Sequence, residues 1–160
     1  MSEINDIWLH AHHMLRTARQ IVNENLRPLN LSSAEGNILL HLWTQGQAVA
    51  HHAIPQEQLV EQLDVSKPAI SRTLDSLEAK GFITRQPDPE DGRAHRIVMT
   101  GKARAIAPAV EQAYNQLYTL AVKGISQEEL AEFTRLFGRI ADNFTTIPIG
   151  KKVESEHAVE

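Results

Sequence analysis

The chain contains no cysteine, which removes disulfide stapling, thiol redox sensing and thiolate metal ligation from its chemistry. Aromatic residues make up only 5%, so aliphatic side chains and alanine must fill any core. No apolar run approaches the roughly 18 residues a membrane span needs. The opening residues Met1-Ser2-Glu3-Ile4-Asn5-Asp6 are acidic and polar, the opposite of a signal peptide's basic start, and a cytoplasmic protein is expected. Catalytic signatures are missing as well. There is no Gly-rich phosphate loop, no serine-nucleophile motif and no pair of histidines in zinc-protease spacing, so an enzyme is not expected.

What is present suits one globular domain: 160 residues, 42% hydrophobic and 22% charged. The net charge of −4 argues at first against a nucleic-acid partner. Its distribution argues the other way. Residues 65–104 hold eight Lys/Arg against five Asp/Glu, whereas the rest of the chain holds eight against fifteen. A basic segment in an acidic protein is what a compact DNA-reading surface needs, and the acidic remainder orients the approach by repulsion.

Periodicity and punctuation give the order of elements. Ile4, Ile7, Trp8, Ala11, Leu15, Ala18, Ile21, Val22 and Leu26 follow helical spacing, and Pro28 ends that first helix a residue or two before it. Ser32 and Glu35 form a capping box that opens a second helix, from 34 to about 44. A loop runs over 46–53, with a short strand at 52–54. Pro55 suits a helix first turn, and a short third helix covers 56–63. Asp64 and Val65 make a tight turn, Ser66 is the expected N-cap, and a fourth helix covers 67–80 with Ile70, Leu74 and Leu77 on its inner face. Gly81 is its C′ residue. Strands at 82–86 and 96–99 flank a turn-rich tip at 87–94. Thr100 caps a fifth helix to about 122, with Pro108 inside it. Ser126 and Glu129 form a second capping box, opening a sixth helix over 130–144 whose Leu130, Phe133, Leu136, Phe137, Ile140 and Phe144 are expected to face inward. The tail over 148–160 is polar and is expected to be disordered.

Short helix, tight turn, second helix, glycine, strand, tip, strand is the order of a winged helix-turn-helix. The expected fold is mainly α with a small β-wing, plus N- and C-terminal helices. The first helix of the motif braces the second, whose N-terminal end enters the major groove. Ser66, Lys67, Pro68, Ala69, Ser71 and Arg72 line that end. They are short or basic, so the helix can approach base edges, and Arg72 can pair bidentately with a guanine. Arg85, Arg93, Arg96 and His95 gather around the hairpin, and Asp91 stands two residues before Arg93, close enough to orient its guanidinium. An arginine on a hairpin tip enters a narrow minor groove, where negative potential concentrates.

The tract Leu63-Asp64-Val65-Ser66-Lys67-Pro68-Ala69-Ile70-Ser71-Arg72-Thr73-Leu74, continued by Asp88-Pro89-Glu90-Asp91-Gly92-Arg93-Ala94 and Met99-Thr100-Gly101-Lys102-Ala103, resembles the multiple antibiotic resistance regulator (MarR) family of transcriptional regulators. The specific part runs from 59 to 103. The resemblance implies that the fourth helix reads bases and that Arg93 reaches the minor groove with Asp91 in support. It also implies one MarR-like domain over 1–147, with the winged motif at about 34–100 and dimerisation helices at about 4–27 and 101–145. Such a homodimer binds a palindromic operator, typically as a ligand-responsive repressor. One departure stands out: Gly92 occupies a tip position where many members carry a second arginine.

Eight histidines are many for this length. His10 and His13, one turn apart, could share a metal ion, and some members of the family respond to zinc. The ligand-rich stretch of that branch, early in the fifth helix, here offers only Glu111, so no metal or other cofactor is expected. Other members resemble repressors released by small aromatic acids. By position, His10, His13, Met14, Arg16, His41 and Trp43 are candidates to line such a site. The competing readings are a zinc-responsive regulator and a winged helix used only for protein contact. The latter has no need of Lys67, Arg72 and Arg93 together.

Overall fold

The computed structural model describes residues 2–46, 53–63 and 65–145. Helix α1 spans Ser2–Leu26. Pro28 does not stop the chain's helical winding but tightens it into a single 3-10 turn, Arg27–Leu29. The turn closes at Asn30, which takes a left-handed conformation (φ 56°) and donates its N–H to the Arg27 carbonyl. Asparagine is one of the few residues that tolerate that conformation.

Helix α2, Ser33–Gly46, starts on the predicted capping box. The Glu35 N–H donates to Ser32 Oγ at 3.2 Å, and the Ser32 N–H donates to Glu35 Oε2 at 2.8 Å. Next come strand β1 (Ile54–Pro55), helix α3 (Gln56–Leu63) and helix α4 (Lys67–Ala79), then strands β2 (Ile83–Pro87) and β3 (His95–Met99). The sheet is antiparallel in the order β1-β3-β2, with Ile54 and Arg85 on either side of Ile97. Pro55 therefore opens no helix. It sits in an edge strand opposite Arg96, where its missing N–H costs no ladder bond. Helix α5 (Gly101–Ala121) runs on through Pro108, and helix α6 spans Gln127–Thr145. The expected strand residue His52, with His51, Asp64 and the tail over 148–160, lies outside the described residues.

The described chain divides into two units at Thr119 and Leu120. The core of the first is aliphatic, as the scarcity of aromatics requires. Leu26, Leu39, Leu59, Leu74, Leu77, Ile97, Ala103 and Val110 are fully buried, and among the described residues Phe82 and Tyr114 supply the aromatic rings of the buried cluster. Helices α1, α2 and α5 are also joined by polar links. Asn23 Oδ1 accepts the Ser33 N–H at 2.7 Å, and the Tyr114 hydroxyl donates to the Ser33 carbonyl at 2.9 Å. Burial raises the Tyr114 pKa far above its ordinary value, so the phenol remains a donor.

The second unit is built on α6. Its capping box forms as expected, with Ser126 and Glu129 exchanging backbone-to-side-chain bonds at 2.8 and 3.2 Å. The inward orientation expected for its apolar face does not hold within the single chain. Leu130, Phe133, Leu136, Phe137 and Phe144 are exposed, Ile140 is half-buried, and no residue of α6 is buried. Periodicity shows which face is apolar, not what covers it. The Phe133 and Phe137 rings stack on each other at 5.4 Å between centroids.

Candidate nucleic-acid interface

Helix α4 anchors itself through Ile70, Leu74 and Leu77, spaced at i, i+4 and i+7 and all buried. That spacing leaves the opposite face outward. Ser66, Lys67, Pro68 and Arg72 are exposed, and Ala69 and Ser71 are half-buried beside them. Ser66 holds the N-cap position with extended backbone angles, but its side chain makes no capping bond. Its carbonyl still accepts the Ile70 N–H at 3.0 Å, and with Pro68 in the first turn one fewer N–H there needs a partner. The Lys67 ammonium leans on Glu57 of α3 at 3.2 Å in a largely exposed pair, which contributes little to stability and is easily exchanged.

The far end of α4 is fixed by a network that sequence patterning does not disclose. Glu35, only 4% exposed, uses both carboxylate oxygens. Besides the Ser32 N–H it accepts the Ser76 hydroxyl at 2.6 Å and the Lys80 ammonium at 2.9 Å. Lys80 also donates to the Asn30 carbonyl at 2.8 Å. Burial alone would push the Glu35 carboxyl upward. The bonds from Lys80, Ser76 and Ser32 outweigh it and hold the group below the ordinary carboxylate range. The start of α2 is thereby locked to the last turns of α4. The capping box is legible in the sequence; its reach across more than forty residues is not.

The helix ends at Gly81, whose φ of 76° suits glycine alone. The turn into β2 is closed by Thr100, whose hydroxyl lies 2.7 Å from the Gly81 carbonyl and accepts the Ala103 N–H at 3.2 Å. The cap of α5 is thus also the clamp on the base of the wing.

The wing is organised by Asp88, which sequence patterning does not single out although an Asp-Pro pair is a turn signal. One carboxylate oxygen accepts the Glu90 N–H at 2.8 Å, and the other takes the Arg96 guanidinium at 2.7 Å. The Arg96 bond and then the Glu90 N–H hold the Asp88 carboxyl below its usual range. The tip closes where the Asp91 carbonyl accepts the Ala94 N–H and the Ala94 carbonyl accepts the Asp88 N–H.

The wing's basic residues do not act as one cluster. Arg96 is held by Asp88. Arg85 is held by Asp75 and Glu78 of α4. His95 and Arg93 are exposed. The expected orientation of the Arg93 guanidinium by Asp91 is not what the structure has. The Asp91 carboxylate accepts the Arg93 backbone N–H at 3.0 Å, because a two-residue offset in a tight turn brings an Asx side chain to the main chain first. Among the described residues neither Arg72 nor Arg93 makes an ion pair. A cleft of about 350 Å³ lies between α3, the start of α4 and the wing tip, bordered by Glu57, Lys67, Asp91 and Arg93. The winged motif therefore brings together the N-terminal end of α4 and the wing tip.

The six candidate effector residues are not assembled in this way. His10, His13, Met14 and Arg16 are exposed along α1, with Arg16 leaning on His13 at 3.5 Å. His41 meets Gln62 at 2.6 Å, and the Trp43 N–H donates to Glu111 at 3.2 Å. Among the described residues no group of three or more His, Cys, Asp or Glu could hold a metal ion, and no helix is long and apolar enough to cross a membrane.

Residues 31–95 match the sequence profile of the MarR family. The fold agrees. A mutant MarR from E. coli, solved with operator DNA, is 26% identical and superposes with a TM-score of 0.73 over 86% of this chain and 95% of that one. A MarR-family protein from Listeria monocytogenes, solved with a 26-mer DNA, is 22% identical, with a TM-score of 0.73 over 89% of each chain. A MarR transcriptional regulator from Methanosarcina mazei Go1 is 19% identical, with a TM-score of 0.75 over 90% and 99%. The chain therefore has the fold of the MarR-family winged-helix transcriptional regulators, and residues 31–95 carry that family's sequence pattern.

Proposed function

We propose that the protein binds double-stranded DNA sequence-specifically, as a homodimer on a palindromic operator, and represses transcription from it. The observation that carries this reading is the pair of exposed guanidinium groups. Arg72 stands on the outward face of α4 and Arg93 at the wing tip, both without ion pairs among the described residues, while Arg85 and Arg96 are tied down by carboxylates. In this reading Ser66, Lys67, Pro68, Ala69, Ser71 and Arg72 approach the major groove, and Arg93 enters the neighbouring minor groove. Asp91 supports it by fixing the tip backbone. The DNA-bound relatives favour the same partner. A small aromatic acid is the effector class we propose, on the resemblance to ligand-released repressors.

The test is selection of bound fragments from a genomic library by the purified protein at moderate salt. The expected result is enrichment of a two-fold symmetric site with half-sites about 34–36 Å apart. Recovery of fragments without a shared motif would contradict the reading. A protein-contact module, the other use of a winged helix, predicts that outcome.

A further inference from the structure

Arg85 lies in β2, directly opposite Ile97 of β3, yet its side chain belongs to α4. The guanidinium donates to Asp75 Oδ1 at 2.7 Å, to Glu78 Oε2 at 3.0 Å and to the Ser71 carbonyl at 3.2 Å. Its backbone N–H donates to the other Glu78 oxygen at 3.2 Å. Residues 71, 75 and 78 form one stripe along the helix, at i, i+4 and i+7, so a single side chain grips two turns of α4. The Arg85 side chain is only 17% exposed, so these bonds are shielded in a way that ordinary surface pairs are not. A planar fork with five donors can meet two carboxylates and a carbonyl together, whereas an ammonium on a flexible stem cannot hold that geometry.

We infer that Arg85 is a positioning residue for DNA recognition. It fixes the wing hairpin against α4, so that Arg93 at the tip and the base-facing end of the helix meet the two grooves in one register. The inference rests on the DNA-binding reading above. The wing's arginines then divide the work among themselves. Arg96 shapes the tip through Asp88, Arg85 sets the hairpin on the helix, and Arg93 makes the contact. Arg85 also offsets Asp75 and Glu78, two carboxylates that would otherwise repel phosphates.

The test combines hydrogen exchange with a binding cycle on full-length Arg85→Met, Arg85→Lys, Arg93→Ala and the Arg85→Met/Arg93→Ala double variant. Amide exchange in residues 83–99 is expected to quicken about tenfold in Arg85→Met while α1 and α2 keep wild-type protection. On the selected operator each single variant is expected to bind about tenfold more weakly, and the double variant little more weakly than Arg85→Met alone. Arg85→Met should also lose the preference for A·T-rich over G·C-rich flanks that Arg93 provides, which general destabilisation would not abolish. Arg85→Lys should fall between Met and wild type. Unchanged exchange in 83–99, additive losses in the double variant, or a retained flank preference would each overturn the inference. If exchange quickens but the wild-type protein has no preferred DNA, the DNA-binding reading itself fails, and the positioning role fails with it.

Discussion

Glu35 shows how one residue serves both the fold and the interface. It is the capping glutamate of α2 and, through Ser76 and Lys80, the tether of α4. Its pKa is lowered in the folded chain. The stability it contributes is therefore fully present above the unfolded value and is lost as pH falls through the lower folded value. Unfolding measured against pH should show this loss on the acid side of the ordinary carboxylate range, and Glu35→Ala should abolish that part of the acid dependence. Lys80 can still reach water, so Glu35→Ala should cost about 3 kcal/mol at neutral pH, the lower end for breaking a buried pair. A variant as stable as wild type would show that the tether carries no weight.

The two exposed arginines should separate by mode of readout. Arg72→Ala should weaken operator binding by roughly 1–3 kcal/mol and relax the preference at one position per half-site. An equal loss on operator and random DNA would reduce Arg72 to a phosphate contact. Arg93→Ala should lose affinity according to the A·T content of the flanks and hardly at all with the major-groove bases. Because Asp91 bonds the Arg93 backbone, Asp91→Asn, which keeps the acceptor oxygen, should bind like wild type, whereas Asp91→Ala should weaken binding in the same direction as Arg93→Ala. Equal losses for Asn and Ala would mean the carboxylate acts by charge rather than by shaping the turn.

Among the elements, the crossing of α1, α2 and α5 is tightly constrained at Gly36. A Cβ at Gly36 would collide with Leu26 Cδ1 and lie 3.2 Å from the Tyr114 hydroxyl, with Leu26 fully buried. Gly36→Ala should therefore destabilise the protein by about 1–3 kcal/mol despite alanine's better helix propensity. A rise in melting temperature would contradict that packing. Gly36 lies inside a helix and carries no turn signal, so this role could not be read from the sequence. The helices themselves could, because capping boxes at Ser32 and Ser126, Pro28 and Gly81 punctuate the chain locally. What was not legible depends on contacts between distant residues. Arg85 and Arg96 look as available as Arg93 until Asp75, Glu78 and Asp88 are placed beside them. Pro55 reads as a helix start until β3 is there to pair with it.

At the scale of the whole molecule, the apolar surface left on the single chain carries the case for a dimer. Ile4, Ile7, Leu9, Met14 and Leu15 of α1 are exposed, as are Leu130, Phe133, Leu136 and Phe137 of α6. Burying such rings contributes on the order of 2 kcal/mol each. Sedimentation of the full chain should give a dimer, and removing residues 126–160 should give aggregated or poorly folded protein. A soluble, folded monomer from that truncation would contradict dimerisation through these helices. The central claim, specific reading of DNA, is tested most directly by equilibrium binding of the full-length protein to its selected duplex and to a scrambled duplex of the same composition at physiological salt. A preference of at least about a thousandfold for the selected site is expected, whereas equal affinity for the two duplexes would contradict specific reading.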